Sequence, residues 1–187
     1  MKTKELSLKY HLLSPEVRKS SPPTLRAVVE TPRGSRHKFA LDPKIGAITL
    51  KQTLASGFSW PYDYGFIPST LGQDGDPLDM LVLMDEPTFP GCILTVRLLG
   101  VIGLRKNGVE NDRFVGSLIP SVETSLSTDG YNRIEDLPQK LLHEIEEFLK
   151  NYSEEKGNRI ELTGVRGPSE ALTAVTAGQR AFEDAAK

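Results

Sequence analysis

The spacing of hydrophobic residues changes at Asp136. Upstream, "RAVVET" (26–31), "HKFAL" (37–41) and "GAITL" (46–50) are short β-prone runs separated by "PRGSR" and "DPKI", which carry Pro, Gly and Asp turn chemistry. The pattern continues through "LDMLVLM" (78–84), "CILTVRLLGVIG" (92–103) and "RFVGSL" (113–118), connected by "DEPTFPG" and "RKNGVEND". These segments read as successive antiparallel strands, and several strands with tight turns predict a barrel. Downstream the period is helical. Leu141, Leu142, Ile145, Phe148, Leu149 and Tyr152 fall on one side, Glu144, Glu146, Glu147 and Lys150 on the other, and Asp136 is positioned to cap. A second helix is expected after "GPSE", with Ser169 as N-cap and Ala171, Ala174, Val175, Phe182 and Ala185 on one face. Both helices are expected to cover the barrel. The fold expected is therefore α+β and mainly β, with residues 25–187 as a single domain and residues 1–24 as an N-terminal arm or extra strand.

Length agrees with that organisation, because 187 residues suffice for one sizeable core and fall short of two. The 25 acidic and 23 basic residues leave a formal net charge of -2, so no excess of positive charge favours a nucleic-acid partner. "CILTVRLLGVIGL" (92–104) is the longest apolar stretch, contains Arg97 and is too short to cross a membrane. The charged N-terminus lacks the apolar core of a secretory signal, and the single Cys92 has no internal disulfide partner. A cytoplasmic location is the simplest expectation. Cys92 reads as a small buried hydrophobe. His11, His37 and His143 are scattered, show no zinc-ligand spacing to Cys92, and read as structural or solvated residues.

The chemistry concentrates in "DGDPLDMLVL" (74–83). Asp74, Asp76 and Asp79 lie directly against an apolar run, where carboxylates repel one another and lose hydration unless a cation or donors compensate. Gly75 permits a tight turn between two acids, Pro77 fixes its own φ, and strand alternation sets Asp79 opposite to Leu78 and Met80. Such rigidly held oxygens suit Mg²⁺, a hard cation that keeps several waters. A calcium loop is excluded by spacing: with Asp74 as the first position, the required Gly falls on Asp79 and the final Glu on Pro87. Acids in a loop are by themselves more often solvated turn or cap residues, so the surroundings decide.

Those surroundings carry a resemblance. "DGDPLD" resembles the signature Asp-x-Asp-Pro-x-Asp of the soluble family I inorganic pyrophosphatases. "VVETP" (28–32), "HKF" and "WPYDYGFIPSTLGQDGDPLD" resemble the family's segments before the acids. "LLGVIGL", "ENDRFVGSLIP", "DLP", "FLKNYSEEKG" and "IELTGV" follow in the family's order. The resemblance covers roughly residues 25 to 185 and implies a five-stranded OB-like closed barrel with flanking α-helices. It implies Mg²⁺-dependent hydrolysis of pyrophosphate to two phosphates, with several ions bound and Mn²⁺ as an alternative. In that picture Asp74 and Asp79 ligate metals holding the nucleophilic water. Asp76 belongs to the same acid set and accepts the water's proton, and Glu30 holds a metal through water. Lys38 and Arg113 touch phosphate, Tyr64 and Tyr152 donate hydroxyl hydrogen bonds to it, and the protein assembles as a homo-oligomer.

Departures from the family pattern concentrate at the same site. Ala40 and Asn111 stand where the resemblance implies metal-binding acids, as does Lys106, unless a one-residue slip lets Asp112 serve. Gln52, with Lys51 adjacent, and Ser153 stand where an Arg and a Lys would bind phosphate, and Trp60 where a Tyr is common. Lys106 can replace a cation electrostatically but cannot generate a hydroxide, and losing a single positioned group costs on the order of a hundredfold. Two further readings follow. One is a hydrolase of another phosphoanhydride or a phosphate ester, with an organic substituent near Trp60. The other is a catalytically silent pyrophosphatase-like protein that binds a ligand or partner.

Overall fold

The described residues, 9–119, 128 and 130–187 of a computed structural model, form nine strands and two α-helices. The strands are β1 (Thr24–Thr31), β2 (His37–Asp42), β3 (Ala47–Thr53), β4 (Asp63–Phe66), β5 (Asp79–Leu83), β6 (Ile93–Lys106), β7 (Val109–Glu110), β8 (Arg113–Leu118) and β9 (Ile160–Arg166). The helices are α1 (Gln139–Glu155) and α2 (Pro168–Ala185). Strands β1, β4, β5, β8 and β6 pair in that order, and β6 pairs back with β1, so five strands close into a ring. β7 and β9 extend the sheet from β6, and β2 and β3 form a separate hairpin.

Two expectations about strand pairing are corrected. Of the first three strands, β2 and β3 are antiparallel neighbours as expected, but β1 pairs with β4 and β6 instead of β2. Burial explains the separation. Leu25, Ala27, Val28 and Val29 of β1 are buried, whereas β2 and β3 remain half-buried or exposed and can serve as a projecting hairpin. Thr31 links the two units, its hydroxyl donating to the Phe39 carbonyl and accepting from the Phe39 N–H. The second correction is that β5 and β8 run parallel, which places their N-terminal residues side by side.

The ring has apolar contacts on both faces, which is why its strands read as continuous hydrophobic runs. On β5, Met80 and Val82 join a cluster with Val29, Val96 and Phe114, closed by Ala171 and Val175 of α2. Leu81 and Leu83 join the other cluster, with Trp60, Ile102 and Val115, closed by Ile145 and Leu149 of α1. The helices thus cover the sheet as expected, but their starts differ. Asp136 closes a preceding 3₁₀ turn, where its carboxylate accepts from the Asn132 and Arg133 N–H groups, and α1 begins after Pro138. Pro168 opens α2 after Gly167, leaving Ser169 inside the helix, because a proline's fixed φ and missing N–H suit the first helical position.

Residues 1–8 of the expected N-terminal arm lie outside the described residues. The rest of the arm packs on the ring: Arg18 bridges to Thr24, the Pro15 carbonyl accepts from the Arg26 N–H at 2.7 Å, and Val17 joins the first cluster. Cys92 is only half-buried against the same cluster. Asp63 is fully buried at the start of β4, where one carboxylate oxygen accepts from the Arg33 N–H and the other from the Thr88 N–H and hydroxyl. No described helix is long and apolar enough to cross a membrane.

Candidate active site

One cleft of about 580 Å³ opens between the β2–β3 hairpin, the loop before β5, the β6–β8 connection and the C-terminal end of α1. All eight residues to which the resemblance gave roles line it: Glu30, Lys38, Tyr64, Asp74, Asp76, Asp79, Arg113 and Tyr152. Their placement follows from local backbone features.

The acid loop is clamped at both ends. The Ile67 N–H donates to the Leu78 carbonyl at 2.9 Å, and the Leu78 N–H donates to the Thr70 hydroxyl at 3.0 Å. Gly75 has a φ of +87°, a left-handed conformation that most side chains disfavour, and there the chain reverses between Asp74 and Asp76. The Asp76 N–H donates to the Asp74 carboxylate at 3.2 Å. A further hydrogen bond, from the Leu71 N–H to the Gly178 carbonyl at 3.0 Å, fastens the loop to α2.

Asp79 begins β5 and Arg113 begins β8. In the parallel register that pairs Met80 with Phe114, the two side chains meet at 2.8 Å, both largely shielded from solvent. Burial disfavours the guanidinium charge, but Asp79, Tyr64 and Asp74 more than offset it and hold the pKa of Arg113 above its usual value. Arg113 also donates to the Asn111 and Asp112 carbonyls.

Glu30 reaches the cleft through a bulge. Val29 pairs with Gly65 and Thr31 with Tyr64, so Glu30 is the extra residue of β1 and its carboxylate accepts from the Leu41 N–H at 2.7 Å. Gly65 lets the strands approach, since a Cβ there would stand 1.8 Å from the Val28 carbonyl oxygen. Burial pushes the Glu30 carboxyl up to about 7, with Asp79 and Asp76 adding to the effect and the Leu41 N–H and Lys38 opposing it. Asp76 is also raised, by burial and then by Asp74 and Asp79, against Lys38 and Lys106.

Aromatic rings form the wall behind Lys38. Its Nζ lies 5.6 Å from the ring centroids of both Tyr64 and Tyr152 and 6.0 Å from that of Trp60, within cation–π range. Tyr64 is buried, which holds its hydroxyl well above the ordinary range, and the buried Tyr152 hydroxyl has no hydrogen-bond partner. Trp60 corrects an expectation: it is 1% exposed, packed behind the tyrosines at 4.5 and 5.0 Å between centroids, and does not line the cleft. It offers no surface to an organic substituent.

The altered positions are also resolved. Asn111, not Asp112, lines this cleft. Asp112 accepts from the Leu104 N–H and is ion-paired with Arg166, so the one-residue slip does not occur. Asn111 is 9% exposed, its side-chain nitrogen donates to the Asp74 carboxylate, and its amide oxygen is buried without a partner. A second bulge, between the pairs Lys38–Gln52 and Phe39–Leu50, leaves Lys51 unpaired; Lys51 lines the cleft and Gln52 does not. Lys156 also lines it, with Nζ 4.6 Å from the Tyr152 ring centroid. Sequence reasoning missed Lys156, although its position one helical turn beyond Tyr152 was a usable signal.

The donor set fits a hard divalent cation only in reduced form. No three His, Cys, Asp or Glu side chains among the described residues are grouped so as to hold a metal. Asp79 is engaged by Arg113 and Asp74 by Asn111, yet the unpartnered amide oxygen of Asn111 adds a neutral oxygen donor beside Asp74.

Comparison with known proteins identifies the family. The family model described as inorganic pyrophosphatase matches residues 27–183. The inorganic pyrophosphatase of Geobacillus stearothermophilus is 37% identical over 147 residues, covering 79% of this chain and 87% of the relative. That of Thermus thermophilus is 36% identical over 170 residues, covering 89% and 95%. The solved structure of an inorganic pyrophosphatase from Thermus thermophilus superposes with a TM-score of 0.82 at 34% identity, covering 94% of this chain and 99% of the other. One from Neisseria gonorrhoeae gives 0.83 at 28% identity, covering 93% and 98%. On the family model over residues 27–183 and relatives of this identity and coverage, the chain belongs to the family I inorganic pyrophosphatases.

Proposed function

We infer that this chain hydrolyses inorganic pyrophosphate to two phosphates, assisted by a divalent cation, Mg²⁺ by family expectation and Mn²⁺ as an alternative. The observation that carries this reading is the meeting in one cleft of Glu30, Asp74, Asp76 and Asp79 with Lys38, Arg113, Tyr64 and Tyr152.

Asp76 is the general base. Burial and the neighbouring Asp74 and Asp79 raise its pKa, which makes it a better proton acceptor than a free carboxylate. Water oxygen forms a bond to one phosphorus, the bond from that phosphorus to the bridging oxygen breaks, and the water's proton passes to Asp76. The bridging oxygen leaves with the second phosphate. Lys38, set against the aromatic wall, and Arg113 counter the phosphoryl charge, and the hydroxyls of Tyr64 and Tyr152 donate to phosphate oxygens. Asp74, Asp79 and the amide oxygen of Asn111 would hold the cation, and Glu30 and Asp76 would reach it through water. When bound, the ion lowers the pKa of water and neutralises phosphoryl oxygens.

The same reading takes the five-stranded ring as an OB-like closed barrel. It keeps residues 25–187 as one domain with residues 1–24 as an arm, and it retains a cytoplasmic homo-oligomer without nucleic-acid or membrane partners. A second reading, a catalytically silent relative that binds phosphate compounds, is favoured by the Arg113 guanidinium already paired with Asp79. Phosphate release from pyrophosphate, measured with Mg²⁺ and then Mn²⁺ beside the Asp76→Asn variant, separates the two. Release by the wild type alone supports hydrolysis; no release from either folded protein with cation present retires it.

A further inference from the structure

We propose that in the free protein the acid end of this cleft holds no divalent cation tightly, and that the cation enters with the pyrophosphate. The inference rests on the reading of the cleft as a pyrophosphate site.

Fixed positive groups already stand among the acids. Glu30, Asp74, Asp76 and Asp79 face Lys38, Lys106 and Arg113, so three built-in cations meet four carboxylates. Asp79 is engaged by a shielded guanidinium that two backbone carbonyls also hold, and a cation at Asp79 must compete with that pair. Asp112, the next available acid, is held by Arg166 and the Leu104 N–H. What remains is the amide oxygen of Asn111, buried, without a partner and next to Asp74. It is an oxygen donor of the kind a hard cation accepts, but it contributes no charge, and ligand charge is what tunes the affinity of such sites.

Pyrophosphate changes this balance. The hairpin and α1 sides of the cleft add Lys44, Lys51 and Lys156 against Asp42, which faces Lys51 at 3.8 Å, and this positive excess attracts an anion before any metal is present. A bound pyrophosphate then supplies the oxygens and negative charge that Asn111 and Lys106 subtract from the protein. Asn111 is thus a positioning residue that makes cation binding conditional on substrate.

Equilibrium dialysis of Mn²⁺ against the full chain, with and without imidodiphosphate as the non-hydrolysed analogue, tests the proposal. Wild-type protein is expected to retain little Mn²⁺ alone and to bind it at least about tenfold more tightly with the analogue present. Asn111→Asp, with folding checked by circular dichroism, should raise Mn²⁺ affinity without the analogue by about tenfold or more. Lys106→Gln, a change at an exposed side chain, should move it in the same direction. Micromolar Mn²⁺ binding by the wild type alone, or unchanged affinity in both folded variants, overturns the proposal. Failure of the underlying functional reading is distinct: the wild type would then neither release phosphate nor retain imidodiphosphate at any Mn²⁺ concentration.

Discussion

Asp79 and Arg113 meet at 2.8 Å because each is the first residue of one strand in the parallel pair β5–β8. The contact is a product of register, and it joins the acid loop to the β6–β8 connection. Removing one partner of a shielded ion pair leaves the other charge uncompensated. Arg113→Met, which keeps the aliphatic length, should therefore destabilise the protein by about 3 kcal/mol. Urea unfolding followed by fluorescence would read this as a lowered midpoint at constant slope.

Gly65 has no room for a methyl group. A Cβ there would lie 1.8 Å from a backbone oxygen of β1, which cannot move aside as a side-chain end can. Gly65→Ala should cost about 3 kcal/mol or more and displace the Glu30 bulge. Thermal unfolding, with hydrogen exchange of the Leu41 amide as a local probe, would report both effects.

Glu30 sets a pH dependence of known sign. Its folded-state carboxyl lies at about 7 against an ordinary 4.5, so the folded protein binds more protons across that window and stability falls as pH rises through it. Measured in chelator, Glu30→Gln should flatten this slope. The two proteins should converge near about pH 4 and differ by about 2–3 kcal/mol in the variant's favour at about pH 8.

Lys51 and Gln52 make a paired test of the hairpin bulge. Only Lys51 lines the cleft. Lys51→Ala should raise KM for pyrophosphate several-fold with little change in kcat, whereas Gln52→Ala should leave KM unchanged. Equal effects from both substitutions would contradict the register.

The acid string "DGDPLD" was legible in the sequence because its chemistry is local: three carboxylates, a turn glycine and a proline lie within six residues. Both helices were legible from their 3.6-residue period. The bulges at Glu30 and Lys51 were not, since strict alternation offers no sign of the inserted residue that re-aims a side chain. β4 escaped notice because "DYGF" is four residues long and begins with a buried Asp63, and β9 because "IELTGVR" is mostly half-buried or exposed and carries Gly164 at φ +101°. The choice between Asn111 and Asp112 depended on Arg166, a partner on another strand that spacing could not name.

The hydrogen bond from Leu71 to Gly178 gives the protein a temporal order. The acid loop is translated early, whereas the helix that fastens it comes near the end of the described chain. A nascent chain lacking α2 carries every acid of the cleft and the clamps at Ile67 and Thr70, but not the Gly178 carbonyl, so the loop gains its last fastening only when this helix docks.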